Sequence, residues 1–334
     1  MNSKNFSAKL KILELIPKYE KLGINLCQAI EILVNEEKIP FLAINYRIKS
    51  KESIEEKIKR KKYDTPIEQL EDICGIRIIC YYPSDVNKVQ KQLEQEFDVF
   101  SSENKQSDYN INEFGYRSVH LIVKVKNEWT KTPNYRDLGD LKSEIQIRTV
   151  LMHAWAEIEH KLSYKTKDQI PKEFQRNFFR LSAKLEEADE QFEELKKSIE
   201  KKTNLIIEDA KKKGKFNENL EFNLDNLSAF LDFTFPNRLK NEDLTRKLFN
   251  EMKKYNLKLA DLVLGYERVK DIIYKFELES AKEFYGLDFD IDDYYKAQVG
   301  IARVVLTLTN DDYYEVKREF DDSGITEKYR NKIK

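Results

Sequence analysis

Nine glycines in 334 residues, with 14 positions as the smallest gap between any two, constrain this chain more than any other feature. Loops that cradle phosphate with backbone N–H groups need glycines within a few residues of one another. A dinucleotide-binding turn, a P-loop and a kinase-type glycine loop are therefore all excluded. Any phosphate bound here must be held mainly by side chains. Seven prolines add few further breaks, so the chain reads as helix-rich.

A charged fraction of 36% and a mean hydropathy of -0.68 describe a polar chain, yet 12% aromatic residues are far too many for disorder, so it folds. The net charge of -1 provides no overall field that would draw the molecule to nucleic acid or anionic lipid, which leaves local patches to decide its partners. Cys27, Cys74 and Cys80 are odd in number and form no C-x-x-C pair. They point to a reducing compartment and argue against a disulfide frame or a cysteine zinc site. No uncharged apolar run approaches the roughly 20 residues of a membrane helix. A cytoplasmic protein with no membrane partner is expected.

Residues 7 to 62 carry apolar side chains at helical spacing, such as Leu10, Leu13, Ile16, Ile30, Leu33 and Val34, and read as a helical lead-in. From Pro66 the pattern changes. Ile76 to Tyr82, His120 to Val125 and Glu144 to Ile147 are short and rich in Ile, Val and Tyr, as strands are, and Val86, Val89 and Leu93 mark a helix over 84 to 96. Alternating helix and strand over 41 to 165 predicts an α/β or α+β domain. Beyond residue 172 the pattern is helical. Phe178, Leu181, Leu185, Ala188, Phe192, Leu195 and Ile199 form a heptad seam, which fits either a coiled-coil dimer or a helix laid on the domain. Three heptads are short for an independent coiled coil and favour the second. Lys211, Lys212, Lys213 and Lys215, then Asn217 to Asn226, read as a linker before a second helical unit. In that unit the acidic run from Asp288 fails as a calcium loop, because Asp293 stands at the sixth position and Val299 at the twelfth, and it reads as a solvated turn.

Four segments carry candidate chemistry. Between Arg47 and Lys62 there are eight basic side chains against three acidic ones, and on a helix Lys49, Ser53 and Lys57 would share a face suited to a polyphosphate. Asp72 precedes an apolar strand. Along Ser143 to Thr149, strand alternation puts Glu144, Gln146 and Arg148 on one face and Ile145 and Ile147 on the other. Two carboxylates at strand ends could hold magnesium between phosphate oxygens. Gly115-Tyr116-Arg117-Ser118-Val119-His120 is a glycine turn that presents an aromatic face on which a base could stack. On a helix starting after Thr149, His153, Glu157 and His160 share one face; the spacing is not that of a zincin, and bracing of the site is the better reading. Each segment alone has a plainer explanation: a solvated basic helix, two surface acids, a core tyrosine.

Taken together, Arg47-x-Lys49-x-x-x-Ser53-x-x-x-Lys57, Asp72-x-x-Gly75-x-Arg77, Gly115-Tyr116-Arg117-Ser118-x-His120, Glu144-Ile145-Gln146-Ile147-Arg148-Thr149 and the His153 to His160 helix resemble the RelA/SpoT-type alarmone synthetase domain. The resemblance covers roughly residues 40 to 165. It implies an α+β fold, a nucleotidyltransferase-like mixed sheet flanked by helices with a helical C-terminal extension. It also implies transfer of the β,γ-pyrophosphate of ATP to a 3′-hydroxyl, usually of GDP or GTP. By the resemblance, Arg47 and Arg77 clamp the adenine and Lys49, Ser53 and Lys57 hold the donor phosphates. Asp72 and Glu144 carry magnesium, and Glu144 is placed to take the proton of the attacking hydroxyl. Tyr116 stacks on the acceptor base, with Arg117, His120, Gln146 and Arg148 on the substrates. The implied organisation is a lead-in (1–40), a synthetase domain (41–170), a long helix packing on or extending from it (171–215) and a helical C-terminal domain without assigned role (216–334). No His-Asp pair of a hydrolase partner is present.

One departure stands out. Many members carry a lysine shortly before the Gly-Tyr pair that contacts the acceptor's 5′-phosphates, whereas this chain has Asn112-Glu113-Phe114. Lys105, Arg117 or Lys124 are candidate substitutes. Alternatively the acceptor has no 5′-polyphosphate, as at the 3′ end of tRNA, which toxin-like relatives modify. A non-catalytic nucleotide-sensing module is a third reading, and the helical C-terminal half is a candidate surface for homo-oligomers.

Overall fold

The structure, a computed structural model, describes residues 3–63, 65–104, 118–164, 172–286, 297–317 and 324–333. These residues fall into two compact units, Met1–Leu195 and Lys196–Lys334. In the first, α1 (Ser3–Glu36) is followed by β1 (Phe41–Ile48), α2 (Lys51–Lys61), the single turn α3 (Pro66–Gln69), β2 (Cys74–Cys80) and α4 (Pro83–Glu96). Then come β3 (Phe97–Asn104), β4 (Val119–Val125), β5 (Ser143–Thr149), α5 (Val150–Tyr164) and the long α6 (Lys172–Lys213), whose residues up to Leu195 belong to the first unit and whose remainder belongs to the second.

The five strands form one mixed sheet in the order β1-β2-β5-β4-β3. Only β2 and β5 run parallel; the other neighbours are antiparallel. Alternation decides the two faces. Ile76, Ile78, Leu121, Val123, Ile145 and Ile147 are buried on one side, where α1 contributes Leu22, Leu26 and Ile30 and α4 contributes Val86, Val89 and Leu93. Burial of each such side chain is worth about 1.5–3 kcal/mol, so this face holds the unit together and the opposite face is left for polar residues.

The α+β expectation is met, with two local differences. Phe41–Ile48 is a strand, not part of the helical lead-in: Lys38 with φ 53° and Pro40 end α1, and the following residues pair with β2 from Phe41↔Cys80 to Ile48↔Cys74. Hence Arg47 is on a strand, Lys49 in a connection, and only Ser53 and Lys57 share a helix. Strand β3 is the second difference; its exposed residues hide the alternation, and a bulge between Val99 and Ser101 breaks the period.

Helix α6 also departs from the expected orientation. Leu181, Phe192 and Leu195 of the heptad seam are all more than half exposed, while Ser182, Asp189 and Glu193 are buried. The buried carboxylates are satisfied: the Thr149 hydroxyl donates to Asp189 at 2.5 Å and the Ser84 N–H to Glu193 at 3.1 Å. Two charge-assisted hydrogen bonds fix the helix rotation against the preference of its apolar seam. The Thr149 hydroxyl also accepts from Met152 N–H at 3.1 Å, capping α5.

The second unit is helical, with α7 (Leu224–Thr234), α8 (Glu242–Lys254), α9 (Leu259–Val269), α10 (Ile273–Tyr285), α11 (Gln298–Thr309), α12 (Asp311–Lys317) and α13 (Ile325–Ile333). Ala210 and Phe216 belong to its buried core, so the lysine-rich stretch expected to be a linker is built into the fold. A Cβ on Gly265 would lie 2.6 Å from Thr309 Oγ1, which is why α9 and α11 need glycine where they meet. Arg303 holds Glu251 through two hydrogen bonds of 2.8 and 2.9 Å, and the Tyr313 hydroxyl donates to the same carboxylate at 3.1 Å. The acidic run from Asp288 lies outside the described residues. Among the described residues, no helix is long and apolar enough to cross a membrane.

All three cysteines are free. Burial pushes the Cys74 thiol up to about 11 and Cys80 to about 12. Iodoacetamide at pH 8 is therefore expected to leave both unmodified in the folded protein and to label both in guanidinium. Mass-spectrometric labelling of either in the folded state would contradict the burial of β2.

Candidate active site

The polar face of the sheet is built by register. Arg47 on β1 stands opposite Gly75 on β2, which stands opposite Glu144 on β5, which stands opposite Ile122 on β4. One row further, Asn45, Arg77, Gln146 and His120 form a second line across the same four strands. Arg148 follows on β5. Residues scattered over 100 positions of sequence thus share one surface because each occupies the same parity of its strand.

Glu144 sits at the centre of a chain of hydrogen bonds. Its Oε1 lies 2.9 Å from His120 Nδ1, and its Oε2 accepts from Gln146 Nε2 at 2.9 Å. Arg148 donates to Gln146 Oε1 at 2.8 Å, and His120 Nε2 lies 2.7 Å from Ser118 Oγ. Burial alone, the largest single influence, would raise the Glu144 carboxyl, but the hydrogen bond and charge of His120 together with the Gln146 hydrogen bond outweigh it and hold the group below its ordinary value.

Asp72, just before β2, is gripped by both lysines that the sequence placed together. Lys57 Nζ donates to Oδ2 at 2.6 Å and Lys49 Nζ donates to the same oxygen. Burial opposes ionisation here too, and the two ammonium groups overcome it, so the Asp72 carboxyl is lowered. Ser50 caps α2 by accepting from Ser53 N–H at 3.2 Å, which sets Ser53 one turn before Lys57.

Asp72 and Glu144 line the same cavity of about 150 Å³ with Asn45, Arg47, Gly75 and Arg77. A wider space of about 470 Å³ shares Arg47, Arg77 and Gln146 and adds Arg148, Glu157 and His160. Arg77 donates to Glu157 at 2.9 Å, and His153 Nδ1 lies 4.0 Å from the same carboxylate. Burial and the nearby Arg77 charge lower both the Arg148 guanidinium and the His153 imidazole. Cations crowded this way favour an anionic guest.

The structure therefore brings together Arg47, Lys49, Lys57, Asp72, Arg77, His120, Glu144, Gln146 and Arg148, while Ser53 is exposed on α2 and its hydroxyl meets that of Ser50. Tyr116 and Arg117 lie outside the described residues. Asn45 was missed by the sequence reading; two positions before Arg47, it would have been found had 41 to 48 been read as a strand. Among the described residues, no three His, Cys, Asp or Glu side chains converge as metal ligands, and this includes the His153, Glu157 and His160 face. Magnesium asks for less: one or two carboxylates, with phosphates and water completing six oxygens. Asp72 Oδ1 is buried without a hydrogen-bond partner, and Glu144 opens on the same cavity, so these two residues fit that ion.

Several known proteins resemble this chain. Residues 46–169 match the region found in RelA / SpoT proteins. The chain is 38% identical over 131 residues to GTP pyrophosphokinase YwaC of Bacillus subtilis, which covers 38% of this chain and 60% of that protein. It is 31% identical over 168 residues to GTP pyrophosphokinase YjbM of the same organism, covering 49% of this chain and 76% of that protein. The crystal structure of small alarmone synthetase 1 from Bacillus subtilis superposes with a TM-score of 0.49 at 29% identity, over 57% of this chain and 98% of that one. With three-quarters of one pyrophosphokinase matched at this identity, and the RelA/SpoT region falling on the very strands and helices that build the site, the chain belongs to the RelA/SpoT family.

Proposed function

We propose that this protein transfers the β,γ-pyrophosphate of ATP to the 3′-hydroxyl of GDP or GTP. The observation that carries the reading is the pairing of Asp72 and Glu144 in one cavity, with Lys49 and Lys57 on the first and His120 on the second. Its relatives named as GTP pyrophosphokinases support the same chemistry.

In this reading the 3′-oxygen attacks the β-phosphorus of ATP, the bond from that phosphorus to the α,β-bridging oxygen breaks, and AMP leaves. Arg47 and Arg77, diagonal neighbours on β1 and β2, hold the adenine, and the space lined by Arg148 and His160 extends that end of the site. Lys49, Ser53 and Lys57 take the donor phosphates as their ammonium groups turn from Asp72. Asp72 and Glu144 would hold magnesium, which when bound neutralises charge on the phosphate oxygens. Glu144 receives the hydroxyl proton. Its low affinity for protons at rest keeps it ionised, and His120 and Gln146 fix the orientation of its carboxylate. Tyr116, outside the described residues, is the expected stacking surface for the acceptor base. Fixed cations supply the stabilisation that glycine-loop amides provide elsewhere.

The test is an acceptor panel. With magnesium and ATP labelled in the γ-phosphate, label is expected on GDP and GTP. Label on deacylated tRNA alone would move the acceptor, and nucleotide binding with label on none would leave only a sensing role.

A further inference from the structure

The reaction face of the sheet does not end at Glu144. Two residues earlier, just ahead of β5 and about 7 Å along the chain, stands Lys142. The β4–β5 ladder pairs Ile122 with Glu144 and Val123 with Ser143, so one further step places Lys124 opposite Lys142 on the face that bears Glu144. Both ammonium groups lie over a single aromatic ring, that of Phe100 at the β3 bulge, at 5.2 Å for Lys124 and 5.5 Å for Lys142. The ring is 55% exposed, which leaves this cationic pair open to solvent. Lys142 Nζ also lies 2.7 Å from Glu71, the neighbour of Asp72, and Asp98 faces Lys124 across the β3–β4 ladder from an exposed position.

This pair is separate from the cations assigned to the donor. Arg47 is on β1, Lys49 in the connection after it, Lys57 on α2, Arg77 on β2 and Arg148 toward the far end of β5. Lys124 is on β4 and Lys142 immediately precedes β5, on the opposite side of Glu144 along the chain. A nucleotide acceptor whose 3′-hydroxyl meets Glu144 carries its 5′-phosphates one sugar ring away, a span comparable to the step from Glu144 to Lys142. We propose that Lys124 and Lys142, held over Phe100, form the subsite for the acceptor's 5′-di- or triphosphate and so set the preference for phosphorylated nucleosides. The proposal rests on the pyrophosphate-transfer reading. Polyphosphate oxygens replace Glu71 as the partner of Lys142, while the Phe100 ring holds the two ammonium groups close to each other.

The experiment compares GTP, GDP, GMP and guanosine as acceptors for the wild type, Lys124→Ala, Lys142→Ala and Lys124→Arg. The ratio of kcat/KM for GTP to that for guanosine is expected to fall at least tenfold in each alanine variant, mainly through the acceptor KM, and to recover in Lys124→Arg. GTP binding to each alanine variant saturated with a non-hydrolysable ATP analogue, followed by calorimetry, should be weaker than to the wild type by the same factor. An unchanged ratio, or a rise in the KM for ATP alone, would overturn the assignment while leaving the transferase reading intact. If the wild type transfers to none of the four acceptors, the transferase reading fails first and the subsite falls with it.

Discussion

Replacing Glu144 by Gln should lower pyrophosphate transfer about a thousand-fold with little change in fold. The amide keeps the size of the carboxylate and can still accept one hydrogen bond, so the strand face is not emptied. What it loses is charge and basicity. One of the two donors now aimed at Glu144, from His120 and Gln146, will meet an NH₂ group instead of an oxygen. Asp72→Asn is expected to act as strongly on turnover, because the carboxylate with the unpartnered Oδ1 is the better placed of the two for a metal ion. Both variants should keep the wild-type circular dichroism. Their acid unfolding should differ in a defined direction. Both carboxyls are held below their ordinary values in the fold, so the stability they contribute is fully present above that ordinary range. It is lost as pH falls through the lowered values. The Asn and Gln variants should therefore show a flatter acid limb. Turnover within tenfold of wild type in either variant would remove that residue from the mechanism.

The second large effect is expected from the double change Lys49→Met and Lys57→Met. The two side chains are about four-fifths buried, and both ammonium groups contact one carboxylate oxygen. Removing both leaves Asp72 buried and unpaired, with its carboxyl raised instead of lowered. We expect a loss of about 1–3 kcal/mol in urea unfolding, since breaking a partly buried pair from one side exposes the desolvation cost of the group left behind. Donor affinity should fall at least 100-fold at the same time, because no glycine loop can replace those cations. Adding Asp72→Asn to the double variant should recover stability but not ATP binding. A triple variant that recovers both would show the lysines to be partners of Asp72 alone.

Much of the site was legible before any fold was known, and the reason is periodicity. On β5 the alternation of Glu144, Gln146 and Arg148 with Ile145 and Ile147 is unambiguous, and the structure puts the isoleucines in the core and the polar triplet on the cavity. The same holds for His120 on β4. Errors appeared where local pattern and tertiary pairing disagree. Residues 41 to 48 carry enough apolar spacing to pass as helix, and it is pairing with β2 that makes them a strand, bringing Asn45 and Arg47 to the site. Strand β3 hides its alternation behind a bulge and an exposed Phe100. The seam of α6 looks like one packing surface, yet only part of it packs: the Phe178 ring meets that of Trp155 with centroids 4.2 Å apart, whereas Leu181, Phe192 and Leu195 stay exposed and the hydrogen bonds from Thr149 and Ser84 are buried instead.

Residue identity and strand period were enough to identify the family and to propose its chemistry here: side-chain cations for phosphate and two carboxylates for metal and proton. Those are properties of short segments, set by which residues sit two or four positions apart. Which segments meet is a different matter. The contact of Lys49 and Lys57 with Asp72, the hydrogen bonds that orient Glu144, and the approach of Lys124 to Lys142 over Phe100 all depend on the β1-β2-β5-β4-β3 order. That order is selected by burial of one whole sheet face, a sum over many distant residues that no short window of the chain contains.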